Sequence, residues 1–180
     1  MDAIGEHSLQ WFAAERVVEE PDLAALVQDY SVLLYRVALS LLHNPAEAED
    51  VVQDVFLRAL QRKRELVEIV ELRPWLVRIA WNLALDRRRR VRPDQMDDLY
   101  AEGLVSADLP ADQALAEAAR IRQVLAAMER LPRREREALL LSAMDELSTA
   151  EIGVVLGRSE SSVRSLLFRA RTHLRQRLEG

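Results

Sequence analysis

The chain has 180 residues, of which 49% are hydrophobic, and a formal net charge of −5 at pH 7. This length and apolar content suit one or two small globular domains and exclude a disordered chain. Cysteine is absent, which excludes disulfides, thiolate metal sites and cysteine nucleophiles and fits a reducing compartment. The N-terminus is acidic where a signal peptide needs a basic region, so we predict a cytoplasmic protein without membrane insertion.

Apolar residues recur at spacings of three and four, which predicts an all-α fold. We expect the first helix from Pro21 to His43. Asn44 is a suitable cap and Pro45 a suitable first residue for the second helix, predicted over Ala46 to about Leu66. Pro74 marks the start of the third helix, whose core side is expected to carry Trp75, Leu76, Ile79 and Leu83.

The composition changes after Arg92. The stretch "PDQMDDLYAEGLVSADLPADQALAE" carries seven acidic residues and no basic one, without a clean helical period. We interpret its main part as a linker between two small helical domains. The predicted divisions are an N-terminal extension at 1–20, a first helical domain at 21–92, an acidic linker at 93–112 and a second helical domain at 113–180.

A short helix, a turn with glycine and a longer basic helix are predicted near the C-terminus. Ser148 followed by Glu151 is a capping-box signature, and Gly157 marks the end of the short helix. This succession is typical of a helix-turn-helix, whose second helix lies in the major groove of DNA. The second domain is therefore predicted to bind duplex DNA.

The last helix is expected to bury Val163, Leu166, Leu167, Ala170 and Leu174. At about 100° per residue, the opposite side carries the candidate DNA contacts Arg164, Ser165, Phe168, Arg169 and Thr172. Arginine can bind guanine through two hydrogen bonds, and an apolar ring can pack on a thymine methyl group. The alternative for Phe168 is that its ring packs against another part of the protein.

A second basic cluster, "LRPWLVRIAWNLALDRRRRVR", has seven arginines against one acidic residue, Asp86. Arginines interleaved with aromatic residues suit opened or single-stranded DNA. A core position is favoured for Trp75, whereas Trp81 lies off that face and is a candidate DNA contact. Arg78 and Asn82 are four residues apart and share one side of the helix.

The second helix has the opposite character. Asp50, Gln53 and Asp54 share the face that its valines leave free. Carboxylate and amide groups suit a basic or polar protein surface rather than phosphates. This face is therefore either a protein docking surface or a solvated helix side.

Four segments in this order resemble a bacterial RNA polymerase sigma factor of the extracytoplasmic-function (ECF) group of the sigma-70 family: "AEDVVQDVFLRAL", "PWLVRIAWNLALDRRRR", "LPRREREALLL" and the helix-turn-helix. The resemblance begins at about Leu23. It implies a promoter-specificity subunit that performs no covalent chemistry. The first domain would bind the β′ clamp helices of core RNA polymerase and the minus-ten element. The second would recognise the minus-thirty-five element and contact the β flap, and a cognate anti-sigma factor is a further implied partner.

The resemblance also implies roles for individual positions. Core polymerase would be contacted by Asp50, Gln53, Asp54 and Arg58. Opened minus-ten DNA would be contacted by Arg78, Asn82 and the arginines that follow Asp86, namely Arg87, Arg88 and Arg89. The minus-thirty-five readers of the family match Arg164, Ser165, Phe168 and Arg169.

One segment departs from the family pattern. Relatives often carry a loop with an aromatic residue and glycine that captures a flipped base, whereas "RKRELVEIVELRP" is apolar and acidic here. The sequence has no catalytic constellation, phosphate-binding glycine loop or metal-ligand spacing, so we expect no enzymatic activity, cofactor or metal. Two alternatives remain: a sigma-like decoy or adaptor that binds an anti-sigma factor without DNA, and a dimeric helix-turn-helix repressor.

Overall fold

A computed structural model describes residues 22–66, 69–90, 104, 110–144 and 146–179. The regular structure within these ranges is helical, which confirms the all-α fold. The helices are α1 (Leu23–Leu42), α2 (Pro45–Gln61), α3 (Lys63–Leu66), α4 (Leu72–Arg88), α5 (Ala111–Glu129), α6 (Arg133–Ser142), α7 (Thr149–Leu156) and α8 (Glu160–Glu179). The predicted extension at 1–20 and most of the predicted linker lie outside the described residues.

Local sequence sets the start of α2, whereas two other helix boundaries differ from the prediction. The Asn44 side chain accepts hydrogen bonds from the first backbone amides of α2, and Pro45 is its first residue. The predicted second helix divides at Arg62, where φ is −106°, and the short α3 follows. The helix α4 begins two residues before Pro74, because proline is tolerated in a first turn that needs no backbone donor.

The first domain is formed by α1, α2 and α4, which pack against one another. Its fully buried side chains include Leu33, Leu34, Val37, Val51, Val55 and Leu76. By length and composition α1 could cross a membrane, but its apolar face is covered by α2 and α4. Val27, which the helical period places on the buried stripe, is 40% exposed.

The second domain contains α5 to α8, in which α6 and α7 pack on α8. Leu141, Ile152 and Val163 are at most 1% exposed and form its centre. The predicted core side of α8 is confirmed for Val163, Leu166, Leu167 and Ala170, and Leu174 is half-buried. This packing decides which side of α8 remains free.

The two domains are in contact, because α4 packs directly on α7 and the buried residues of both form one continuous cluster. Ion pairs cross this contact at both ends of α4. Arg73 pairs with Glu151 of α7 at 2.6 Å, and Arg88 pairs with Glu129 of α5. At about 100° per residue, Arg73 and Arg88 lie on the same face of α4, so this face is turned toward the second domain along most of its length.

Candidate polymerase and nucleic-acid interfaces

The helix-turn-helix is fixed by local hydrogen bonds and a close backbone contact. The Ser148 hydroxyl accepts from the Glu151 backbone amide at 3.2 Å, and the Glu151 carboxylate accepts from the Ser148 amide at 2.8 Å. Gly157 has a φ of 64°, a conformation that favours glycine. A Cβ at Gly153 would lie 2.6 Å from the backbone oxygen of Arg158, so the turn requires glycine there. The predicted capping box and turn are confirmed.

The outer side of α8 presents an exposed aromatic ring. Phe168 is 73% exposed, whereas its neighbours Leu166 and Leu167 are each 5% exposed. The predicted orientation of Phe168 is therefore confirmed, and its ring does not belong to the core of the described residues. An exposed ring beside arginines can contact sugars and thymine methyl groups in a DNA groove.

The polar residues on this side of α8 are held mainly by their own helix. Ser165 donates to the Ser161 carbonyl and Thr172 to the Phe168 carbonyl, each at 3.0 Å. Both hydroxyl oxygens keep lone pairs that can accept hydrogen bonds. Arg164 pairs with Glu160 at 2.8 Å, and both side chains are exposed. Such a pair contributes only about 0 to 1 kcal/mol, so Arg164 can exchange it for a phosphate or a base.

Arg169 has a partner that the sequence analysis missed. Its Nε donates to Oε1 of Glu135 at 3.3 Å, and Nδ1 of His173 lies 2.7 Å from Oε2 of the same carboxylate. Glu135 is 5% exposed. Residues 135 and 169 are 34 positions apart, so helical periodicity could not reveal the pair.

Three of the predicted minus-ten residues lie on one exposed side of α4 and of its C-terminal cap. Arg78 and Asn82 are exposed and lie one turn apart, as predicted. The Arg89 side chain is 65% exposed and lies 3.6 Å from Asp86. These residues leave amide and guanidinium groups open to solvent, where they could bind phosphates or unstacked bases.

The structure corrects the predicted position of Trp81. Trp81 was predicted to be a DNA contact, but its side chain is 2% exposed. On α4, Trp81 lies about 80° around the axis from Arg73 and about 20° from Arg88, the two residues that pair with the second domain. Trp81 therefore lies on the side of α4 on which the second domain packs, and no pattern within α4 indicates that packing.

Arg87, predicted as a DNA contact, lies against α2. It donates to Asp54 at 2.8 Å, Glu47 at 3.1 Å and Asp50 at 3.4 Å. Burial by itself lowers the pKa of Arg87, but its bonds to Asp54 and Glu47 outweigh this effect and raise the pKa. One predicted DNA residue and two predicted polymerase residues thus form a single ion-pair network.

The outer side of α2 keeps the predicted docking residues accessible. Gln53 and Arg58 are exposed, and the side chains of Asp50 and Asp54 are 61% and 42% exposed despite their bonds to Arg87. A cavity of about 430 Å³ lies beside them and is lined by Ser31, Val32, Tyr35, Glu49, Val52 and Gln53. The apolar part of this surface was missed, although Val32 lies off the buried stripe of α1 and is 58% exposed.

These features define a two-domain helical protein with a helix-turn-helix of the DNA-binding type. Comparison with known families then gives two matches, to sigma-70 region 2 over residues 26–94 and to sigma-70 region 4 over residues 121–174. Relatives that match over both regions include ECF RNA polymerase sigma factors. The chain belongs to the ECF sigma factors of RNA polymerase and is a promoter-recognition sigma factor.

The relatives differ in how much of their length is matched. The ECF sigma factor SigW of Bacillus subtilis is 32% identical over 169 residues, which cover 89% of this chain and 90% of that protein. A probable sigma factor, RfaY of Xanthomonas campestris, is 36% identical over 147 residues, but these are 79% of this chain and only 36% of that protein.

A solved structure has a similar fold over most of its length. The structure of CnrH in complex with the cytosolic domain of CnrY has a TM-score of 0.64 and 27% identity, and the match covers 87% of each chain. CnrH is an RNA polymerase sigma factor of Cupriavidus metallidurans. The similarity therefore extends across both domains and not only across the helix-turn-helix.

Proposed function

We propose that this protein acts in the cytoplasm as the promoter-specificity subunit of RNA polymerase, in which residues 21–92 bind core polymerase and minus-ten DNA and residues 113–180 read minus-thirty-five DNA. The observation that carries this proposal is the exposed ring of Phe168 between Arg164 and Arg169 on the second helix of a helix-turn-helix. Removal of apolar surface from water is favourable, and a DNA groove would cover this ring.

For the minus-thirty-five element, the outer side of α8 supplies complementary groups. Arg164 and Arg169 supply guanidinium donors for guanine or phosphate, and Ser165 and Thr172 supply hydroxyls for either. The ring of Phe168 supplies an apolar contact. The mixture suits the edges of bases in the major groove better than a protein surface.

For the minus-ten element, the exposed strip of Arg78, Asn82 and Arg89 is the primary surface in this proposal. Trp81, Arg87 and Arg88 are covered or paired in the packed arrangement. Trp81 and Arg88 would become accessible when α4 leaves the second domain, whereas Arg87 would stay bound to α2. Trp81 and Arg88 therefore belong to the DNA surface only when the two domains are separated.

For core polymerase, the proposed docking surface consists of Asp50, Gln53, Asp54 and Arg58 on α2. Its carboxylates suit a basic partner surface such as the β′ clamp helices, and the adjoining apolar cavity beside Val32 adds area that binding would cover. Contact with the β flap is assigned to the second domain by resemblance.

The packed arrangement of the domains has to open for both promoter elements to be bound. Elements centred at minus ten and minus thirty-five are separated by roughly 25 base pairs, which at about 3.4 Å each span roughly 85 Å of duplex. Helices in contact, such as α4 and α7, are only about 8 to 10 Å apart. Polymerase would therefore bind or induce a form in which the two domains have separated.

A cognate anti-sigma factor is the further partner that we propose. The sigma factor CnrH was solved in complex with the cytosolic domain of CnrY, and its fold matches this chain over both domains. An anti-sigma factor could block transcription by covering the docking surface on α2 or by stabilising the packed domains.

Transcription in vitro with purified core polymerase tests the proposal. Addition of this chain is expected to start RNA synthesis at defined promoters selected from a genomic fragment library. A decoy that binds an anti-sigma factor would give no such transcripts, and a repressor would bind the library as a dimer without core polymerase. Either of these results would contradict the proposal.

A further inference from the structure

Glu135 is a buried carboxylate whose two oxygens are both contacted from α8. It lies in the first turn of α6 and is 5% exposed. Oε1 accepts from Arg169 Nε at 3.3 Å, and Oε2 lies 2.7 Å from His173 Nδ1. Arg169 and His173 are one helical turn apart, so the carboxylate spans one turn of α8.

The contact restrains Arg169 without covering it. The Arg169 side chain is 53% exposed and lies on the wall of an open cavity of about 680 Å³. Because Glu135 engages Nε, the two terminal nitrogens remain available, and within the described residues they have no other side-chain partner. These nitrogens can form a bidentate pair with a guanine edge.

We propose that Glu135 is a positioning residue for base recognition, which holds the guanidinium of Arg169 in the orientation that reads a base. This inference rests on the proposed role of Arg169 in reading the minus-thirty-five element. A long side chain that is already ordered before binding loses less conformational entropy when it binds DNA. A carboxylate close to DNA also repels phosphates, so Glu135 is expected to favour discrimination between sequences at the expense of general DNA affinity.

The test uses holoenzyme assembled from core polymerase and the full-length chain, with a library of promoter duplexes randomised over the minus-thirty-five element. Arg169→Ala identifies the base positions that Arg169 reads. Glu135→Gln is expected to weaken preference at the same positions by roughly 5-fold, the lower end of what one bidentate contact provides. Affinity for duplexes without a promoter should stay the same or rise, because a negative charge is removed.

Two further variants separate positioning from folding. Ala138→Gly lies in the same helix at a fully buried position and destabilises it without a side-chain contact to Arg169, so base preference should be retained. Glu135→Asp keeps the charge but is one methylene shorter. It should lose the same preference without a gain in general affinity, and it carries the test if Glu135→Gln unfolds the domain.

The possible results distinguish this inference from the proposed function. If Arg169→Ala loses base preference while Glu135→Gln and Glu135→Asp keep it, the positioning role is wrong and the proposed function stands. An equal loss of preference in Ala138→Gly would show that Glu135 acts only through stability, which also overturns the inference. If Arg169→Ala keeps full preference, Arg169 is not a base reader, which overturns this inference and the proposed role of that residue but leaves the promoter-specificity function to the transcription assay.

Discussion

Arg73 and Glu151 join the two domains through one carboxylate that also starts the helix-turn-helix. The Arg73 guanidinium donates to Glu151 Oε1 from Nε at 2.7 Å and lies 2.6 Å away through Nη2. Oε2 of Glu151 accepts from the Ser148 amide and hydroxyl, each at 2.8 Å. The cap of α7 and the contact between the domains therefore depend on the same charged group.

The double use of Glu151 predicts a loss of stability in acid. Burial raises the pKa of Glu151, but hydrogen bonds from Ser148 and the charge of Arg73 outweigh it and hold the pKa below its ordinary value. A carboxylate with a lowered pKa stabilises the fold above its unfolded pKa, and this contribution is lost as pH falls through the folded value. We expect the free energy of unfolding, measured with urea, to decline below about pH 4. The decline should be shallower in Glu151→Gln. An equally steep decline in Glu151→Gln would contradict this assignment.

Charge reversal at Arg73 is expected to separate the domains without unfolding them. Arg73→Glu places two carboxylates together at the α4–α7 contact, where the Glu151 side chain is largely covered, while the core side chains of both domains are unchanged. Because the chain has no cysteine, fluorophores can be attached to cysteines introduced at the exposed positions Glu49 and Arg171. Energy transfer between them should fall in Arg73→Glu. It should stay unchanged in Arg164→Glu, whose partner Glu160 lies on its own helix. Unchanged transfer in both variants would refute a role for Arg73 in domain contact.

Trp81→Ala is expected to destabilise the protein strongly. Trp81 is 2% exposed, so removal of its indole ring leaves a cavity. Such truncations cost about 3 to 5 kcal/mol of unfolding free energy. Trp75→Ala, at a half-buried position on the same helix, is the matched control and should cost less. Chemical unfolding measures both. A stable Trp81→Ala protein would support the original surface prediction instead.

Phe168→Ala is expected to remove promoter-specific transcription and leave stability unchanged. The ring is 73% exposed, so its truncation creates no cavity. Leu167→Ala is the buried neighbour for comparison and should cost about 2 to 5 kcal/mol. Thermal unfolding, core binding and transcription are measured for both variants. A melting temperature that falls as far in Phe168→Ala as in Leu167→Ala would place the ring in the core.

Gln53→Lys is expected to weaken association with core polymerase while the fold is retained. Gln53 is exposed on α2, and a cation there opposes a basic partner surface. Charge reversal by Asp50→Lys with Asp54→Lys would be a poorer test. Both carboxylates bond Arg87, and lysines in their place would repel it. Gln28→Lys, on the exposed side of α1, provides a charge-matched control. Normal core binding by Gln53→Lys would show that this side of α2 is merely solvated.

The sequence by itself determined the features that depend on short spacings. Helical periodicity identified the main helices and the buried side of α8, and so also the exposed position of Phe168. The caps at Asn44 and Ser148 and the turn at Gly157 are also readable, because each acts on backbone groups within a few residues. Four segments that resemble the ECF sigma factors, in the same order along the chain, were sufficient to indicate the family.

Only the tertiary structure decided the features that depend on distant partners. Trp81 is buried on the side of α4 on which the second domain packs, and α4 alone does not indicate that packing. Arg87 binds carboxylates 33 to 40 residues earlier, and Arg169 binds Glu135 34 residues earlier. A helical period shows which side of a helix faces away from its own core. It does not show what packs on that side, since that depends on how separate helices and domains meet in space.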